Sequence, residues 1–281
     1  MIINQQGGLR LNNIFKQNQH NLPLFSIITI VFNDKNHIEE TILSVLKQTY
    51  QNIEYIVIDG GSTDGTVDII RKYNDSIDYW VSEYDGGIYP AMNKGLLISN
   101  GIIINMMNSG DYYYDDTTVE KVAKYFIDQY DLSVVLGKSK YINTDGSDFL
   151  LRGNNVLSTL KAGRFNTISH QAFFYKKTLH DEFGLYNEYF RICADGHFMY
   201  RVYYSKEHSK ELIDEILSLT RTEGISGTPE SLLEHKIFYD EVFGRSLLNE
   251  LLYIKYLLKK SKTGKFLFNK YLGLKNSLFR R

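Results

Sequence analysis

Three short runs rich in β-branched and aromatic residues occur in the first third of the chain, and the first two are each followed by a segment with helical spacing. The first run is almost continuously apolar, which is typical of a parallel strand buried on both faces. Apolar residues at helical spacing predict one helix ending near Gln48 and another through Val67 and Ile70. The alternation of strand and helix predicts an α/β fold with a mainly parallel sheet. The runs are Phe25–Phe32, Glu54–Ile58 and Ile77–Ser82.

A fourth apolar run, Ile102–Met107, is short and tightly bounded, which favours a buried central strand. The chain then passes directly through Asn108, Ser109 and Gly110 to Asp111. Ligands of open α/β sheets bind beyond the carboxyl ends of the strands, and hard divalent cations prefer carboxylate oxygens. Asp111 therefore lies where a bound metal or phosphate would be, and it is a candidate metal ligand. The alternative is a polar turn in which Asp115 or Asp116 caps the next helix.

The second run ends in Asp59-Gly60-Gly61, which differs from a dinucleotide-binding fingerprint. That fingerprint needs three glycines after the first strand, whereas the first strand here ends in Phe32-Asn33-Asp34, so a nicotinamide dehydrogenase is disfavoured. The two glycines leave room for a flat ring against the backbone, and Asp59 could accept a hydrogen bond from a base. Alternatively, Asp59 to Asp64 forms a helix cap and a flexible loop.

Composition predicts one large globular domain with appendages. The 281 residues are 43% hydrophobic and 23% charged, with a single cysteine, Cys193, which we expect in the core. No apolar run approaches the roughly 18 residues needed to span a bilayer, and no secretion signal is recognisable, so an intracellular location is expected. The predicted divisions are a polar, loosely held arm (1–22), a main domain (23–228) and a helical extension (229–281).

The end of the chain is strongly basic. Leu251 to Arg281 contains nine Lys or Arg and no Asp or Glu, interleaved with large apolar residues. This composition suits contact with an anionic membrane surface. A packed helical hairpin with a solvated basic face is the alternative, and the sequence does not decide between them.

Four motifs, in this order and spacing, resemble inverting glycosyltransferases of family 2, and specifically the bacterial branch that builds O-antigen, capsule or exopolysaccharide. They are FSIITIVFN, IDGGSTDGT, SEYDGGIYPAMNKG and NMMNSGD, and the resemblance covers roughly Phe25 to Gly227. It implies a GT-A fold, a UDP-sugar donor, and Mn²⁺ or Mg²⁺ as cofactor. It also implies that the Gly-rich segment Thr222–Gly227 lies near the donor phosphates.

The resemblance assigns roles to individual residues of the four motifs. Asp111 is similar to the last carboxylate of the family's Asp-x-Asp metal motif, whose first acidic position is Ser109 here. Pro90 stands where this branch often has Asp. The residues implied in binding the nucleotide sugar are Asp59 at the uracil, Val31 beside the base, Asp85 on the opposite wall, and Asn93, Ser109 and Gly110.

A fifth block, Arg191–Phe198, resembles the acceptor half of the family, where an acidic pair opens a helix and its Asp is the general base. Asp195 matches that Asp, whereas the preceding Glu is Ala194 here. A role for Asp195 as a simple helix cap is the alternative. His170 and His197 are secondary candidates, because imidazole titrates near neutral pH and either ring could steer the acceptor.

Two functions from different classes follow. The first is a metal-dependent transferase that moves a hexose or N-acetylhexosamine from a UDP-sugar to a lipid-diphosphate-linked glycan at the cytoplasmic face of the membrane, with no nucleic-acid partner. The second is an inactive nucleotide-sugar-binding or scaffold subunit, which Ser109 and Ala194 keep open. A nucleotidyltransferase is disfavoured because no Gly-rich, basic triphosphate loop follows the first strand.

Overall fold

The computed structural model describes residues 5–143, 147–152 and 168–221 and positions 234, 237, 240 and 241, with only the backbone considered at 148–152. Within these residues, ten strands form one sheet in the order β1-β4-β3-β2-β5-β9-β7-β10-β6, and β8 pairs with β7. The strands are β1 (Gln5–Gly7), β2 (Phe25–Val31), β3 (Ile53–Asp59), β4 (Tyr79–Ser82), β5 (Ile103–Met106), β6 (Tyr112–Tyr113), β7 (Leu132–Ile142), β8 (Asp148–Arg152), β9 (Phe173–Lys176) and β10 (Ser209–Arg221).

Six α-helices and two 3-10 turns connect the strands of the described part. The helices are α1 (Ile38–Leu46), α2 (Thr66–Lys72), α3 (Ile88–Ile98), α4 (Thr118–Asp128), α5 (Leu179–Phe183) and α6 (Ala194–Tyr204). The 3-10 turns are Leu9–Asn12 and His170–Ala172. No helix among the described residues is long and apolar enough to cross a bilayer.

The four strands predicted from the apolar runs form the parallel centre of the sheet. β4, β3, β2 and β5 are neighbours and run parallel, so their carboxyl ends meet at one edge. β9 then pairs antiparallel with both β5 and β7. The prediction of a mainly parallel α/β sheet is confirmed for this centre, and β5 is indeed a central strand.

Strand β2 is buried on both faces because its side chains alternate between two apolar clusters. Ile28 and Ile30 pack with residues of α3 and α6, while Phe25, Ile27 and Val31 pack with residues of α1, α2 and α4. A period of two along the strand places these sets on opposite faces. The sheet is thus covered by helices on both sides, and only its edges and strand ends remain for function.

The prediction of a loosely held N-terminal arm is wrong for the described residues 5–22. β1 pairs antiparallel with β4 at the sheet edge. Arg10 forms an ion pair with the buried Glu54 and donates to the carbonyl of Ile98 at 2.9 Å. Lys16 contacts the buried Asp78 at 2.9 Å. Arg10 and Lys16 thus tie the arm to two buried carboxylates, whereas most residues from 11 to 21 are exposed to water.

A further difference concerns the second half of the chain. The 13-residue strand β10, which pairs parallel with β7, is absent from the sequence predictions. β7 pairs antiparallel with β8, and residues 144–146 lie outside the described part. The Gly-rich segment Thr222–Gly227 and most of the predicted C-terminal extension also lie outside it.

Candidate active site

The loop after β3 is held together by the carboxylate of Asp59. This side chain is fully buried and accepts hydrogen bonds from the backbone N–H groups of Gly61 (3.1 Å) and Ser62 (2.8 Å). The hydroxyls of Ser62 and Ser82 donate to it at 2.5 and 2.6 Å. All four of these donors belong to the carboxylate's own loop or to β4. The geometry therefore favours the interpretation of Asp59 as a loop cap over direct contact with a base.

Gly60 lies between the two walls predicted to flank a nucleotide. A Cβ at Gly60 would come within 2.9 Å of the Asp85 carboxylate, so the position tolerates no side chain without a shift of Asp85. Its N–H donates to the carbonyl of Val31 at 2.9 Å. Burial and the neighbouring charge of Asp59 raise the pKa of Asp85 despite a hydrogen bond from Gly87 N–H. Val31, Asp59 and Asp85 are thus grouped around one glycine, and their roles in nucleotide binding stay predictions.

The loop Ser109-Gly110-Asp111 is fastened to the start of α1. Thr41 Oγ1 accepts from Gly110 N–H at 3.0 Å and donates to the carbonyl of Asp111 at 2.8 Å. Gly110 has φ of 90°, in the left-handed region that favours glycine. Ser109 donates to Asp34 at 2.7 Å. Ser109 therefore contacts a carboxylate on the neighbouring loop and has a partner within the protein.

Asp111 lies at the buried end of this loop, with 8% of its surface exposed. Burial raises the pKa of its carboxyl to about 6, against opposing effects of His170, Gln171 and Arg221. Gln171 donates through its side-chain amide to Asp111 Oδ2. A carboxylate that is costly to ionise in isolation is stabilised when a cation lies beside it.

The 3-10 turn His170–Ala172 is positioned from the central strand. Asn105 of β5 is fully buried and donates to the carbonyls of Gln171 (3.2 Å) and Phe173 (3.1 Å). The side-chain carbonyl of Asn105 accepts from Tyr113 OH at 2.9 Å. Ser169 donates to Gln171 Oε1, which leaves the Gln171 NH₂ group directed at Asp111. The turn is therefore a fixed platform.

Asp195, in the first turn of α6, is held through both carboxylate oxygens. Tyr89 OH donates to Oδ1 at 2.8 Å, and His170 Nδ1 lies 2.9 Å from Oδ2. Burial opposes ionisation of this carboxyl, but the hydrogen bond and charge of His170 and the hydrogen bond of Tyr89 keep its pKa below the usual value. Asp195 is therefore an anion at neutral pH, and 19% of its side chain remains exposed.

His170 is hydrogen-bonded to Asp195 and is also influenced by the charge of Asp111. Burial disfavours its charged form, yet the hydrogen bond and charge of Asp195 and the charge of Asp111 raise its pKa. Its Nε2 lies 3.1 Å from Asn108 Nδ2. The Asn108 Oδ1 atom is buried without a hydrogen-bond partner among the described residues. An acceptor of this kind suits a hydroxyl or another donor supplied by a ligand.

Two predicted site residues are elsewhere. Asn93 uses its amide to hold the segment around Tyr186: Nδ2 donates to the Tyr186 carbonyl and Glu188, and Oδ1 accepts from Tyr186 N–H, all at 2.8 to 2.9 Å. These bonds engage the side-chain amide within the protein, and the role of Asn93 in binding a nucleotide sugar stays a prediction. His197 packs against Phe190 and pairs with Glu241 at 3.1 Å, so it does not join the cluster around Asp195.

Sequence reasoning missed three members of the cluster, namely Tyr89, Asn108 and Gln171. Each acts through a partner 60 or more positions away in the chain, which no local pattern reveals. The one available signal was the adjacency of Gln171 to the candidate His170 in a polar break before an apolar strand.

The side chains near Asp111 fit a divalent cation that takes most of its ligands from substrate phosphates and water. Among the described residues no group of three or more His, Cys, Asp or Glu side chains could hold a metal. Of the loop Ser109-Gly110-Asp111, Asp111 offers a carboxylate, whereas Ser109, in place of a second acid, donates to Asp34. Mg²⁺ and ions like it are commonly bound by one or two carboxylates together with substrate phosphates and water, and Asp111 fits that mode.

Residues 26–208 match the model of Glycosyl transferase family 2, and the chain belongs to this family. It is therefore a glycosyltransferase, and its sheet and helices form the GT-A fold. The family predicted from the four motifs is confirmed at this level.

Curated relatives support the same class. The chain is 34% identical over 184 residues to an uncharacterized glycosyltransferase of Mycobacterium tuberculosis, covering 64% of this chain and 68% of the relative. It is 29% identical over 184 residues to a PGL/p-HBAD biosynthesis glycosyltransferase of Mycobacterium bovis, covering 64% and 70%.

Solved structures show the fold. TarS from S. aureus, in a truncated form in complex with UDP-GlcNAc, has a TM-score of 0.63 at 19% identity, covering 86% of this chain and 75% of that one. For a longer TarS chain the share covered is only 45% of that chain. A mannosyltransferase from Pyrobaculum calidifontis, in complex with GDP-Man and Mn²⁺, has a TM-score of 0.60 at 15% identity, covering 94% and 85%.

Proposed function

We propose that the protein is a metal-dependent, inverting glycosyltransferase that transfers a hexose or N-acetylhexosamine from a UDP-sugar to a hydroxyl group. The proposed acceptor is a lipid-diphosphate-linked glycan, in the synthesis of a bacterial surface polysaccharide. Structural neighbours in complex with UDP-GlcNAc and with GDP-Man support a nucleotide-sugar donor.

One observation carries the proposal: adjacent residues of a single turn contact both candidate carboxylates. Gln171 binds Asp111 and His170 binds Asp195. Transfer of a sugar needs stabilisation of charge on the leaving diphosphate and removal of a proton from the attacking hydroxyl. The pKa of Asp111 is raised and that of Asp195 is lowered, so the two carboxylates have different surroundings that suit these two tasks.

Asp195 is the proposed base. The bonds from Tyr89, His170 and the Gly196 N–H leave at least one of the roughly four lone pairs of its ionised carboxylate unused. An acceptor hydroxyl that donates to one of these lone pairs attacks the sugar carbon opposite the diphosphate and passes its proton to Asp195. Tyr89 and His170 hold the carboxylate still and stabilise its charge before the proton arrives.

Asp111 is the residue we propose to hold the cation. When bound, a divalent cation supplies positive charge to the leaving phosphate oxygens. Gln171 and the backbone N–H of Arg221 orient the Asp111 carboxylate from within the protein. Mn²⁺ and Mg²⁺ are both compatible with an oxygen donor of this type.

The basic segment Leu251–Arg281 is proposed to hold the enzyme at the anionic, cytoplasmic face of a membrane, where lipid-linked acceptors would be found. Its nine positive and zero negative side chains support this role. Truncation after Glu250 should lower binding to anionic liposomes, with the difference disappearing at high salt because the attraction is screened. Equal binding of both forms would leave the segment without a membrane role.

The proposed function is tested by thermal stabilisation with UDP, with and without Mn²⁺. A ligand at about 100 times its dissociation constant adds roughly 2.7 kcal/mol to stability. We expect UDP to stabilise the wild type only when Mn²⁺ is present, and Asp111→Asn to lose this effect. Asp181→Asn, an exposed acidic residue on α5, is the matched control and should behave like the wild type.

Turnover is measured as UDP release from a panel of UDP-GlcNAc, UDP-glucose and UDP-galactose. Stabilisation by UDP and Mn²⁺ without turnover on any donor or acceptor would favour the scaffold hypothesis. No stabilisation by UDP under any metal would overturn the proposal of a UDP-sugar donor.

A further inference from the structure

The loop that leads into α6 directs three consecutive backbone N–H groups at one carboxylate. Arg191, Ile192 and Cys193 donate to Glu234 at 2.7, 2.8 and 3.1 Å. The three bonds use both oxygens of the carboxylate. Hydrogen bonds to an ionised acceptor are shorter and about twice as strong as neutral ones, so this contact fixes the loop backbone firmly.

The local sequence explains why a distant residue is needed. Cys193 is the N-cap of α6, and its side chain makes no capping hydrogen bond. Cysteine is not among the Ser, Thr, Asp or Asn residues that satisfy helix starts. A carboxylate near a helix N-terminus is also favoured by the partial positive charge there. Residues 191–194 contain no acidic side chain. Glu234 therefore supplies the negative charge and the hydrogen-bond acceptors at the start of α6.

The contact bears on Asp195 because only one residue separates it from Cys193. The Asp195 carboxylate must keep its bonds to Tyr89 and His170, which are fixed by α3 and by the turn His170–Ala172. Asn93 secures the other end of the same loop at Tyr186 and Glu188. If the Glu234 end were released, the backbone of α6 could shift relative to Tyr89 and His170.

A second contact ties the same C-terminal residues to α6. Positions 234, 237, 240 and 241 are helical, and Glu241 pairs with His197 of α6 at 3.1 Å. Glu234 therefore contacts the loop that leads into α6, and Glu241 contacts α6 itself. Both lie beyond residue 208, where the match to the family model ends.

We propose that Glu234 is a positioning residue for transfer, which fixes the start of α6 and thereby the Asp195 carboxylate. The proposal rests on the proposed role of Asp195 as the base. The segment beyond the family match then contributes to the active site. Its two glutamates have different roles: Glu234 sets the position of the base, and Glu241 holds the body of α6.

The test compares Glu234→Ala and the milder Glu234→Gln with the wild type. Glu182→Gln is the matched control, because Glu182 pairs with His208 at 2.9 Å on the surface, remote from Asp195 in its contacts. Two readouts are used: amide hydrogen exchange at 191–193, which needs no substrate, and steady-state UDP release from the best UDP-sugar of the panel with Mn²⁺.

We expect faster exchange at 191–193 in both Glu234 variants and no change in the control. We also expect kcat to fall by about 10- to 100-fold, as for a displacement near 1 Å of a reacting group. The donor KM and stabilisation by UDP and Mn²⁺ should stay within about twofold of the wild type, because the contacts of Asp111 are untouched.

Unchanged exchange at 191–193 in Glu234→Ala would overturn the contact itself, whether or not the wild type is active. Faster exchange with unchanged kcat would overturn the positioning role. A fall in kcat matched by equal losses in UDP stabilisation and melting temperature would also overturn it, since that pattern reports general destabilisation. A wild-type protein without turnover would count against the proposed function. The exchange experiment would still test the hydrogen bonds between residues 191–193 and Glu234.

Discussion

Asp59, at the end of β3, and Asp195, in the first turn of α6, are both carboxylates of the candidate site, yet their surroundings differ in kind. Asp59 is fully buried, and its partners are its own loop and Ser82 of the adjacent strand. Asp195 keeps 19% of its side chain exposed and has partners on two separate elements, Tyr89 of α3 and His170 of a 3-10 turn. The first arrangement stabilises a loop, and the second holds a charge at a surface where a substrate can reach it.

The largest expected effect is that of Asp195→Asn on turnover. General base catalysis contributes roughly 10²- to 10⁴-fold, so UDP release with acceptor should fall within that range. The amide can still accept from Tyr89, so folding and UDP stabilisation should persist. The check is kcat beside thermal melting with UDP and Mn²⁺. Turnover at the wild-type rate would remove Asp195 from the chemistry.

Asp59→Ala should have its main effect on stability. It leaves the N–H groups of Gly61 and Ser62 and the hydroxyl of Ser82 without their acceptor, which should lower the free energy of unfolding by about 2–4 kcal/mol. Urea denaturation measures this, with Asp195→Asn as the comparison. Normal stability combined with lost UDP binding would instead make Asp59 a direct nucleotide contact.

Gln171→Met should weaken metal binding while preserving volume. Asp111 would lose its side-chain donor, and partners of this kind are worth about 10- to 100-fold in metal affinity. A Mn²⁺ titration of UDP-dependent stabilisation provides the measurement. The Asp195 side of the site should respond less, because His170 is retained. Mn²⁺ affinity equal to that of the wild type would exclude Gln171 from orienting Asp111.

A smaller effect is expected on the pH dependence of stability, through His180. This side chain contacts neither Asp111 nor Asp195 among its ring and hydrogen-bond partners. It stacks on Phe198 at 4.2 Å, and burial lowers its pKa to about 4. The unfolded chain binds its proton near pH 6.5, so the fold loses stability as pH falls from about 6.5 towards 4. His180→Phe should remove about 1–2 kcal/mol of the stability difference between pH 7 and pH 5. Parallel stability profiles for both proteins would contradict this assignment.

How far the sequence predicts the structure differs between the two halves of the sheet. β2, β3 and β5 are readable because strands buried on both faces are continuous runs of apolar residues. β10 reads SKELIDEILSLTR, in which charged residues favour no strand, and its pairing with β7 decides its conformation. Local pattern fails where tertiary contacts determine the structure.

The same distinction applies to the site. Asp59, Asp85 and Asp111 follow strands and could be placed at the sheet edge from their position alone. Asp195 was accessible through the family resemblance. The groups that orient these carboxylates, such as Gln171 and Glu234, were not predictable, because each acts on a residue 41 or more positions away.

The most direct test of the central claim is the position of Mn²⁺ in crystals of Asp195→Asn grown with UDP and Mn²⁺, located by anomalous scattering. The account predicts one anomalous peak within ligand distance of the Asp111 carboxylate, as expected for a divalent cation held by an oxygen ligand. A peak elsewhere, with UDP bound and Asp111 contacting only Gln171 and Arg221, would contradict it.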